Sequence, residues 1–357
     1  MDSTDHDGSA TYREIKRQQK IWKMALATLE SDREEYVDLL NQWQKSTWVF
    51  SGCGTSYYLA QTASHSFGFN TSFPVKAVPA SEILMFPEAV FTPNHPSVLV
   101  ALSRSGTTTE IVRALVKARE EFGIPSLSVS CDLQSAMSMR SDYQLKFPFE
   151  REDSVVMTGS FTTMLISILY LAAIQKNDPD FFQKLQAITD RSEQIMNENE
   201  AIIREISAIE SIKNYVFLGQ GPFFGLANEA ALKMQEMSLS LSQSFHSLEY
   251  RHGPMSTANH NTFITIICSQ NGRAFDGDLV KDLKKLGSKI LVLGDEVAVV
   301  SSTGADYQIV IPDGFGDSLN ALMFMPLLQL LGYYKARARG LNPDHPRNLT
   351  AVVELNI

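Results

Sequence analysis

Cysteine is scarce in this sequence, with three residues, Cys53, Cys131 and Cys268, spread over 357 positions. An odd number of widely separated thiols excludes a disulfide framework and is typical of a reduced, intracellular protein, so we expect a cytoplasmic location. The spacing of these cysteines to the seven histidines matches no metal-ligand motif. We therefore expect neither a metal nor another cofactor.

Basic residues are in deficit, because 31 Lys and Arg face 40 Asp and Glu and the net charge is −9. This balance argues against nucleic acid as a partner, although a local loop could still attract a small anionic substrate.

Long apolar runs are missing as well. Residues 157–174 are studded with Ser and Thr, and 319–334 contain Pro326 and Gln329, so we expect buried helices and no membrane span. The polar N-terminus lacks the features of a signal peptide.

What the sequence does contain is a repeated alternation of apolar strands and helices. This rhythm predicts an α/β fold with two doubly wound, mainly parallel, five-stranded sheets that have helices on both faces. The expected divisions are 1–44 for an N-terminal arm and helices, 45–176 for a first domain, 177–212 for a linking helix, and 213–357 for a second domain and tail. Residues 1–11 are expected to be a loose arm, and 12–29 and 32–43 a surface helical hairpin.

The two predicted domains begin alike. Residues 49–54 read VFSGCG and residues 216–221 read VFLGQG, and each run is followed by a helical pattern. Such a repeated strand–glycine–helix start indicates two matching halves. A shift of 167 residues places 103–108 of the first half against 270–275 of the second, where the hydroxyl-rich composition is missing.

The loop 103–109, SRSGTTT, follows a short β-branched strand at 98–102 and precedes a helix that ends before Gly123. A strand that leads into a helix through such a loop directs backbone N–H groups, hydroxyls and the helix dipole to one point. We expect a phosphate monoester to bind there, with Arg104 as a charged partner. The alternative is an ordinary turn whose Ser and Thr only cap the helix.

The second half carries acid–base residues. Lys233 and Glu236 share a face of the helix after Gly221, and Glu229 lies four residues before Lys233. Apolar neighbours argue against the alternative of a solvated salt-bridged face. His252 precedes a Gly-Pro turn, and the alternative for it is a structural or surface role.

Together these residues suit proton transfer on a sugar phosphate. A neutral imidazole can move a proton between O1 and O5 of the ring, and a desolvated carboxylate can move one between C2 and C1. The Lys233 ammonium could stabilise the enolate oxygen, while the phosphate loop anchors the far end of the substrate in a two-domain site.

Four ordered motifs resemble the double sugar-isomerase (SIS) domain family from about residue 45 onward. They are Cys53-Gly54-Thr55-Ser56-Tyr57, Ser103-x-Ser105-Gly106-x-Thr108, Ala231-Leu232-Lys233-x-x-Glu236 and Arg251-His252-Gly253-Pro254. The sequence is similar to the isomerase half of glucosamine-6-phosphate synthase and to stand-alone relatives. Residues 155–163 and 245–252 favour the stand-alone glucosamine-6-phosphate deaminases and the amino-sugar-6-phosphate deaminase/isomerase group.

The resemblance implies roles for individual residues. Those that would bind the phosphate and the sugar are Thr55, Ser56, Ser103, Arg104, Ser105 and Thr108. Glu236 would be the C1/C2 base, Lys233 its electrostatic partner, and His252 the ring-opening residue. In the family this His comes from the neighbouring subunit, so a homodimer is expected. The implied reaction is hydrolysis of glucosamine 6-phosphate to fructose 6-phosphate and ammonia.

Two departures from the synthase matter. No glutaminase domain is expected, since Asp2 stands where such a domain would have its nucleophilic Cys. The synthase also forms a Schiff base through a Lys after a Pro-Arg-Asn-Leu run, and here that position is Ala351. The missing Lys suits the breakdown direction, although another Lys could replace it.

The sequence leaves other functions open. These are a deglycase of amino-acid–sugar-phosphate conjugates, a simple aldose–ketose isomerase, and a sugar-phosphate sensor without catalysis. Retention of Glu236, Lys233 and His252 together favours an enzyme.

Overall fold

The computed structural model describes residues 8–353 and 355. In this part of the chain ten β-strands form two five-stranded sheets, and all pairings are parallel. The strands are β1 (Thr47–Gly52), β2 (Val75–Pro79), β3 (Ser97–Leu102), β4 (Ser126–Ser130), β5 (Tyr143–Lys146), β6 (Asn214–Gly219), β7 (Leu241–His246), β8 (Thr262–Ile267), β9 (Lys289–Asp295) and β10 (Tyr307–Ile311).

Helices surround both sheets. The α-helices are α1 (Ser9–Lys16), α2 (Gln18–Ser31), α3 (Arg33–Gln42), α4 (Thr55–Thr71), α5 (Ala80–Met85), α6 (Pro87–Val90), α7 (Thr109–Phe122), α8 (Gly159–Lys176), α9 (Pro179–Ser207), α10 (Pro222–Ser238), α11 (Arg273–Lys285), α12 (Glu296–Ser301) and α13 (Asp317–Ala338). Short 3-10 helices cover Ser138–Arg140, Glu249–His252 and Pro254–Thr257. The α/β class and the parallel sheets predicted from the sequence are confirmed.

The two sheets have the same strand order. The first runs β2-β1-β3-β4-β5 and the second runs β7-β6-β8-β9-β10. In each sheet the winding direction therefore changes between two neighbouring strands, β1 and β3 in the first and β6 and β8 in the second. Ligands of such sheets bind at the carboxyl ends of the strands at this switch point.

The described chain forms two compact units. One contains 8–16, Asp153–Val156 and Asp190–Leu349, and therefore the second sheet. The other contains Arg17–Glu152, Met157–Thr189 and the described residues from Thr350 onward, and therefore the first sheet. The domain boundaries expected from the sequence stay a prediction.

The two apolar segments form buried helices, α8 and α13, as expected. Each lies against helices of its own unit: α8 contacts α2 and α4, and α13 contacts α1 and α10. None of the helices in the described part of the chain has the length and apolar character that crossing a bilayer would require.

The N-terminal predictions need correction. The proposed surface hairpin is wrong, because Trp22, Ala25 and Leu29 of α2 are buried and α2 packs against α8. The proposed loose arm is wrong from Ser9 onward, since α1 begins there and Thr11 is fully buried. The rest of that arm, residues 1–7, lies outside the described residues.

The two glycine loops follow the same backbone path. Gly54 has φ 54° and ψ −125°, and Gly221 has φ 58° and ψ −129°, so both occupy a region that glycine favours. A Cβ atom at Gly52 would lie 2.6 Å from the Ser56 backbone, and one at Gly219 would lie 2.3 Å from the Phe223 carbonyl oxygen. Close approach of the strand to the next helix therefore explains the similar glycine spacing in the two halves.

Candidate functional site

Six predicted binding residues lie at the switch point of the first sheet. Thr55 and Ser56 begin α4 directly after β1, and Ser103, Arg104, Ser105 and Thr108 lie between β3 and α7. Because β1 and β3 are adjacent and parallel, both loops lie at the carboxyl ends of these strands, on the same side of the sheet. The structure thus places these residues where ligands of such sheets bind.

The hydroxyl groups of the phosphate loop, residues 103–109, are ordered by bonds within the loop. Ser103 Oγ accepts a 3.0 Å hydrogen bond from the Gly106 N–H, and Ser105 Oγ accepts bonds of 3.2 and 3.0 Å from the backbone N–H and side-chain hydroxyl of Thr107. In these bonds the Ser oxygens accept, which leaves each hydroxyl hydrogen to be donated to an anion. The alternative is that the Ser and Thr residues of this loop only cap the helix. Thr108 occupies the N-cap position of α7, but its side chain accepts no hydrogen bond from the first turn of the helix.

Arg104 is oriented by protein partners. One guanidinium nitrogen donates a 3.0 Å bond to Glu152 and another donates a 3.2 Å bond to the Ala351 carbonyl oxygen. Glu152 also accepts bonds from the backbone and hydroxyl groups of Thr158 and Ser160 at the start of α8. Burial raises the pKa of Glu152, but the Arg104 charge and these bonds outweigh it, so the pKa lies below its usual range.

A second buried glutamate behaves in the opposite way. Burial, together with the charge of Glu152, raises the pKa of Glu150 to about 8, although Arg17 lies 3.0 Å away and lowers it. Behind the phosphate loop, one carboxylate is therefore held ionised, while the other is largely protonated at neutral pH.

The corresponding loop of the second sheet differs in a way the sequence did not reveal. The Gly272 N–H donates a 3.0 Å bond to Ser269 Oγ, a local bond of the same kind as that between Gly106 and Ser103. Val49 pairs with Leu99 and Val216 pairs with Ile264, so the shift from β3 to β8 is 165 residues and not the 167 expected from the sequence.

This second loop binds a carboxylate of its own chain. The Gln270 N–H donates to both oxygens of Asp317, at 3.0 and 3.2 Å. Burial raises the pKa of Asp317 to about 6, and burial likewise raises that of Asp276 to about 6. A loop amide that already binds an acidic side chain is poorly suited to phosphate.

Three ionisable residues of α10 form a charge cluster in which two members are buried and the third is partly exposed. Lys233 Nζ lies 2.5 Å from Glu236 Oε2 and 3.2 Å from Glu229 Oε1. The side chains of Glu229 and Lys233 are 0% and 1% exposed, whereas that of Glu236 is 15% exposed. Burial lowers the pKa of Lys233, but the two carboxylates outweigh it and raise the pKa above its usual range. Lys233 is therefore an ammonium ion shared by two carboxylates.

Glu236 lines a cavity of about 210 Å³. The end of α10 forms one side of this cavity, and the segment from Gly340 to Arg347 supplies the rest, including Asn342, His345 and Arg347. Sequence reasoning brought Lys233 and Glu236 together correctly, but it did not identify His345 as a neighbour.

His252 lies elsewhere in the same unit. It is exposed at the end of a 3-10 helix and lines a larger cavity of about 640 Å³ with Arg251, Phe275 and charged residues of α11. Gly253, with φ 141°, turns the chain immediately after it. His252 does not line the cavity of Glu236.

Two functional candidates escaped the sequence reasoning, Glu152 and His345. The Arg104–Glu152 pair spans 48 positions, and His345 lies 109 positions after Glu236, so no local pattern connects them. Among the described residues, no group of three or more His, Cys, Asp and Glu is arranged to hold a metal ion.

Comparison with known proteins now identifies the family. The SIS domain model matches residues 42–174. The solved structure of glucosamine-6-phosphate deaminase from Thermotoga maritima is 30% identical, has a TM-score of 0.81, and is matched over 97% of this chain and 100% of its own. The chain belongs to the SIS domain family.

Two further comparisons place this SIS protein. A D-galactosamine-6-phosphate deaminase from Shewanella sp. is 28% identical over 96% of this chain and 89% of its own length. The structure of tagatose-6-phosphate ketose/aldose isomerase from Escherichia coli has a TM-score of 0.86 at 24% identity, covering 98% of this SIS chain and 97% of its own. At that identity the second match shows the fold alone.

Proposed function

We propose that this chain is an amino-sugar-phosphate deaminase/isomerase built from two tandem SIS domains. It converts glucosamine 6-phosphate and water to fructose 6-phosphate and ammonia. The names of the Thermotoga and Shewanella relatives support an enzyme of this kind. The observation that carries the proposal is the cluster on α10, where Glu229 and Lys233 are buried while Glu236, paired with Lys233, is partly exposed and lines a cavity.

Glu236 is the base in this proposal. A carboxylate removes the C2 proton of the open-chain aldose and returns it to C1. Lys233 stabilises the charge that develops on the substrate oxygen, because its ammonium already lies against Glu236.

Lys233 does not replace the missing Schiff-base lysine. Its raised pKa keeps it protonated, and an ammonium ion has no lone pair with which to attack a ketone. With Ala351 at the position of the synthase Lys, trapping of a ketose as an imine is disfavoured. Both features support the breakdown direction.

The phosphate group is bound by Ser56, Ser103, Arg104, Ser105 and Thr108, and Thr55 lies near the sugar. The ordered hydroxyls of residues 103–109 and the dipole of α7 support this assignment. His252 opens the sugar ring. Since His252 and Glu236 line different cavities of one unit, we propose that the partner subunit's His252 acts on each substrate in a homodimer.

The test is ammonia release from a panel of 6-phosphorylated amino sugars, including the gluco and galacto epimers. The Glu236→Gln variant should lose at least about 100-fold in rate. The exposed Glu121→Gln variant of α7, whose carboxylate pairs only weakly with Lys117 at 3.8 Å, serves as the matched control and should keep full activity.

The other functions predict different results from the same panel. Ketose formation from hexose phosphates without ammonia indicates a simple isomerase. Turnover restricted to amino-acid conjugates indicates a deglycase. Binding without turnover of any panel member indicates a sensor and contradicts the proposal.

A further inference from the structure

The segment from Gly340 to Arg347 is held firmly against the second-sheet unit. The buried Asp344 carboxylate accepts hydrogen bonds from Ala10 N (3.2 Å), Thr11 N (2.7 Å) and Thr11 Oγ1 (2.6 Å) at the start of α1. A carboxylate at a helix N-terminus satisfies N–H groups that have no partner within the helix and also complements the dipole. The first helix of the chain thus fixes a segment more than 300 residues away in sequence.

Further bonds and prolines restrict the same segment. The Asp344 N–H donates a 2.9 Å bond to Asn342 Oδ1, and the Asp344 carbonyl accepts a 3.0 Å bond from Val155 N. Pro343 and Pro346 flank Asp344 and His345, and each fixes its own φ angle. The backbone of His345 is therefore well defined, while its side chain remains exposed.

His345 lines the cavity of Glu236, together with Asn342 and Arg347. The cavity, of about 210 Å³, has room for several water-sized groups and therefore for one end of a sugar. Of the described residues that line it, Glu236 and His345 have side chains of the types that act as general acids and bases in enzymes.

The proposed deamination needs a second proton-transfer group. After Glu236 has moved the C2 proton to C1, the aldehyde oxygen has become a hydroxyl and C2 carries an imine. Water then adds to C2, and one of its protons passes to the nitrogen, which becomes an amine on a tetrahedral carbon. The second proton of that water leaves the new hydroxyl while the nitrogen takes up a further proton, the C2–N bond breaks to release ammonia, and C2 becomes a ketone. No oxidant or reductant is needed. Lys233 is protonated and fully buried, so it cannot accept the proton of the water.

We propose that His345 is the catalytic residue that takes the proton from water and delivers one to the departing nitrogen at C2. This assignment rests on the proposed function, because it concerns the second half of that reaction. In this scheme Glu236 of α10 transfers the proton between C2 and C1. His345, on the segment that Asp344 anchors, catalyses hydrolysis of the imine.

The test separates the two halves with the full-length protein and glucosamine 6-phosphate in D₂O. Proton NMR follows loss of the C2 hydrogen, and a coupled assay follows ammonia. His345→Asn should keep C2 exchange within about 3-fold of the wild type and lose at least about 100-fold in ammonia release. The control His95→Asn, at an exposed turn in the other unit, should change neither rate, and the unfolding midpoint of both should shift by no more than about 2 °C.

Each other outcome overturns the assignment. Wild-type ammonia release by His345→Asn removes His345 from the reaction. Equal losses of C2 hydrogen exchange and ammonia release in His345→Asn would show that His345 acts before imine hydrolysis. If the wild-type protein exchanges the C2 hydrogen without releasing ammonia, the proposed deaminase function fails as well, which distinguishes that failure from one confined to His345.

Discussion

Arg104 of the phosphate loop donates a 3.0 Å hydrogen bond to Oε2 of Glu152, whose side chain has no exposed surface. The carboxylate links the loop to the start of α8, where it accepts the backbone N–H groups of Thr158 and Ser160. The ionised Glu152 carboxylate therefore orients the Arg104 side chain before any substrate binds. Pre-organisation of this kind lowers the cost of binding an anion.

The two neighbouring buried glutamates should respond differently to the same substitution. Glu152→Gln removes an ionised partner from Arg104 and should lower the free energy of unfolding by roughly 3 kcal/mol at pH 7. Glu150 is roughly nine-tenths protonated at that pH, so Glu150→Gln replaces one neutral group by another and should cost about 1 kcal/mol. Urea unfolding of both variants measures the difference. Equal losses would show that the two carboxyls do not differ in ionisation.

Glu150 also predicts a pH dependence of stability. Its pKa in the folded protein, raised to about 8, exceeds the unfolded value, so the folded state binds more protons between the two values. The contribution of Glu150 to the free energy of unfolding is therefore fully present below about pH 4. It is lost as the pH rises toward 8, at up to about 1.4 kcal/mol per pH unit.

The effect of Glu150 can be isolated above pH 6. Burial raises the pKa values of Asp276 and Asp317 only to about 6, so their contributions change mainly below that pH. Urea unfolding of the wild type should show falling stability between pH 6 and 8, and Glu150→Gln should be flatter. Parallel curves for the two proteins would contradict the raised pKa.

Two glycines with the same backbone angle provide a test of the phosphate loop. Gly106 and Gly123 have φ values of 63° and 64°, at the loop and at the C-terminal end of α7. A Cβ atom at Gly106 would lie 2.1 Å from Ser135 Oγ, whereas one at Gly123 would meet nothing within 4 Å. Gly123→Ala should cost about 1 kcal/mol and leave KM unchanged.

Gly106→Ala should weaken both substrate binding and stability more than the control Gly123→Ala does. The clash with Ser135 must displace the loop, so we expect KM for the sugar phosphate to rise at least about 10-fold, with a larger loss of stability than in Gly123→Ala. Steady-state kinetics and urea unfolding measure both. An unchanged KM in Gly106→Ala would argue against phosphate binding at residues 103–109.

Removing the shared ammonium should disturb the base itself. Lys233→Met leaves the buried Glu229 and the partly exposed Glu236 without their common cation, so the acidic limb of the pH–rate profile should move to higher pH and kcat at pH 7 should fall. Lys184→Met removes a partly exposed i,i+4 partner of the exposed Asp180 on α9 and is the control. A Lys233→Met profile that coincides with the wild type would exclude an electrostatic role for Lys233.

Local pattern was sufficient for most of the fold. Five β-branched or apolar residues in a row predicted β3, and helical spacing up to Gly123 predicted α7. The sequence marks β7 weakly, because this edge strand has only two apolar residues, Leu241 and Phe245, and neither of them is buried. Such an edge strand has little apolar burial with which to mark the sequence.

Long-range pairing limited what could be predicted of the site. The motif around Lys233 and Glu236 placed two partners on one helix turn, and that spacing fixes their contact. Asp344 binds the start of α1, and the segment it anchors places His345 in the lining of the same cavity as Glu236. This arrangement depends on tertiary packing, which spacing along the chain does not encode.

The central claim is that Glu236 removes the C2 proton of an amino-sugar 6-phosphate. Its most direct measurement is exchange of the C2 hydrogen of glucosamine 6-phosphate with D₂O, followed by proton NMR for the wild type and Glu236→Gln. The wild type should exchange this hydrogen and release ammonia, and Glu236→Gln should lose at least about 100-fold in exchange. Exchange at the wild-type rate in Glu236→Gln would contradict the assignment of the base.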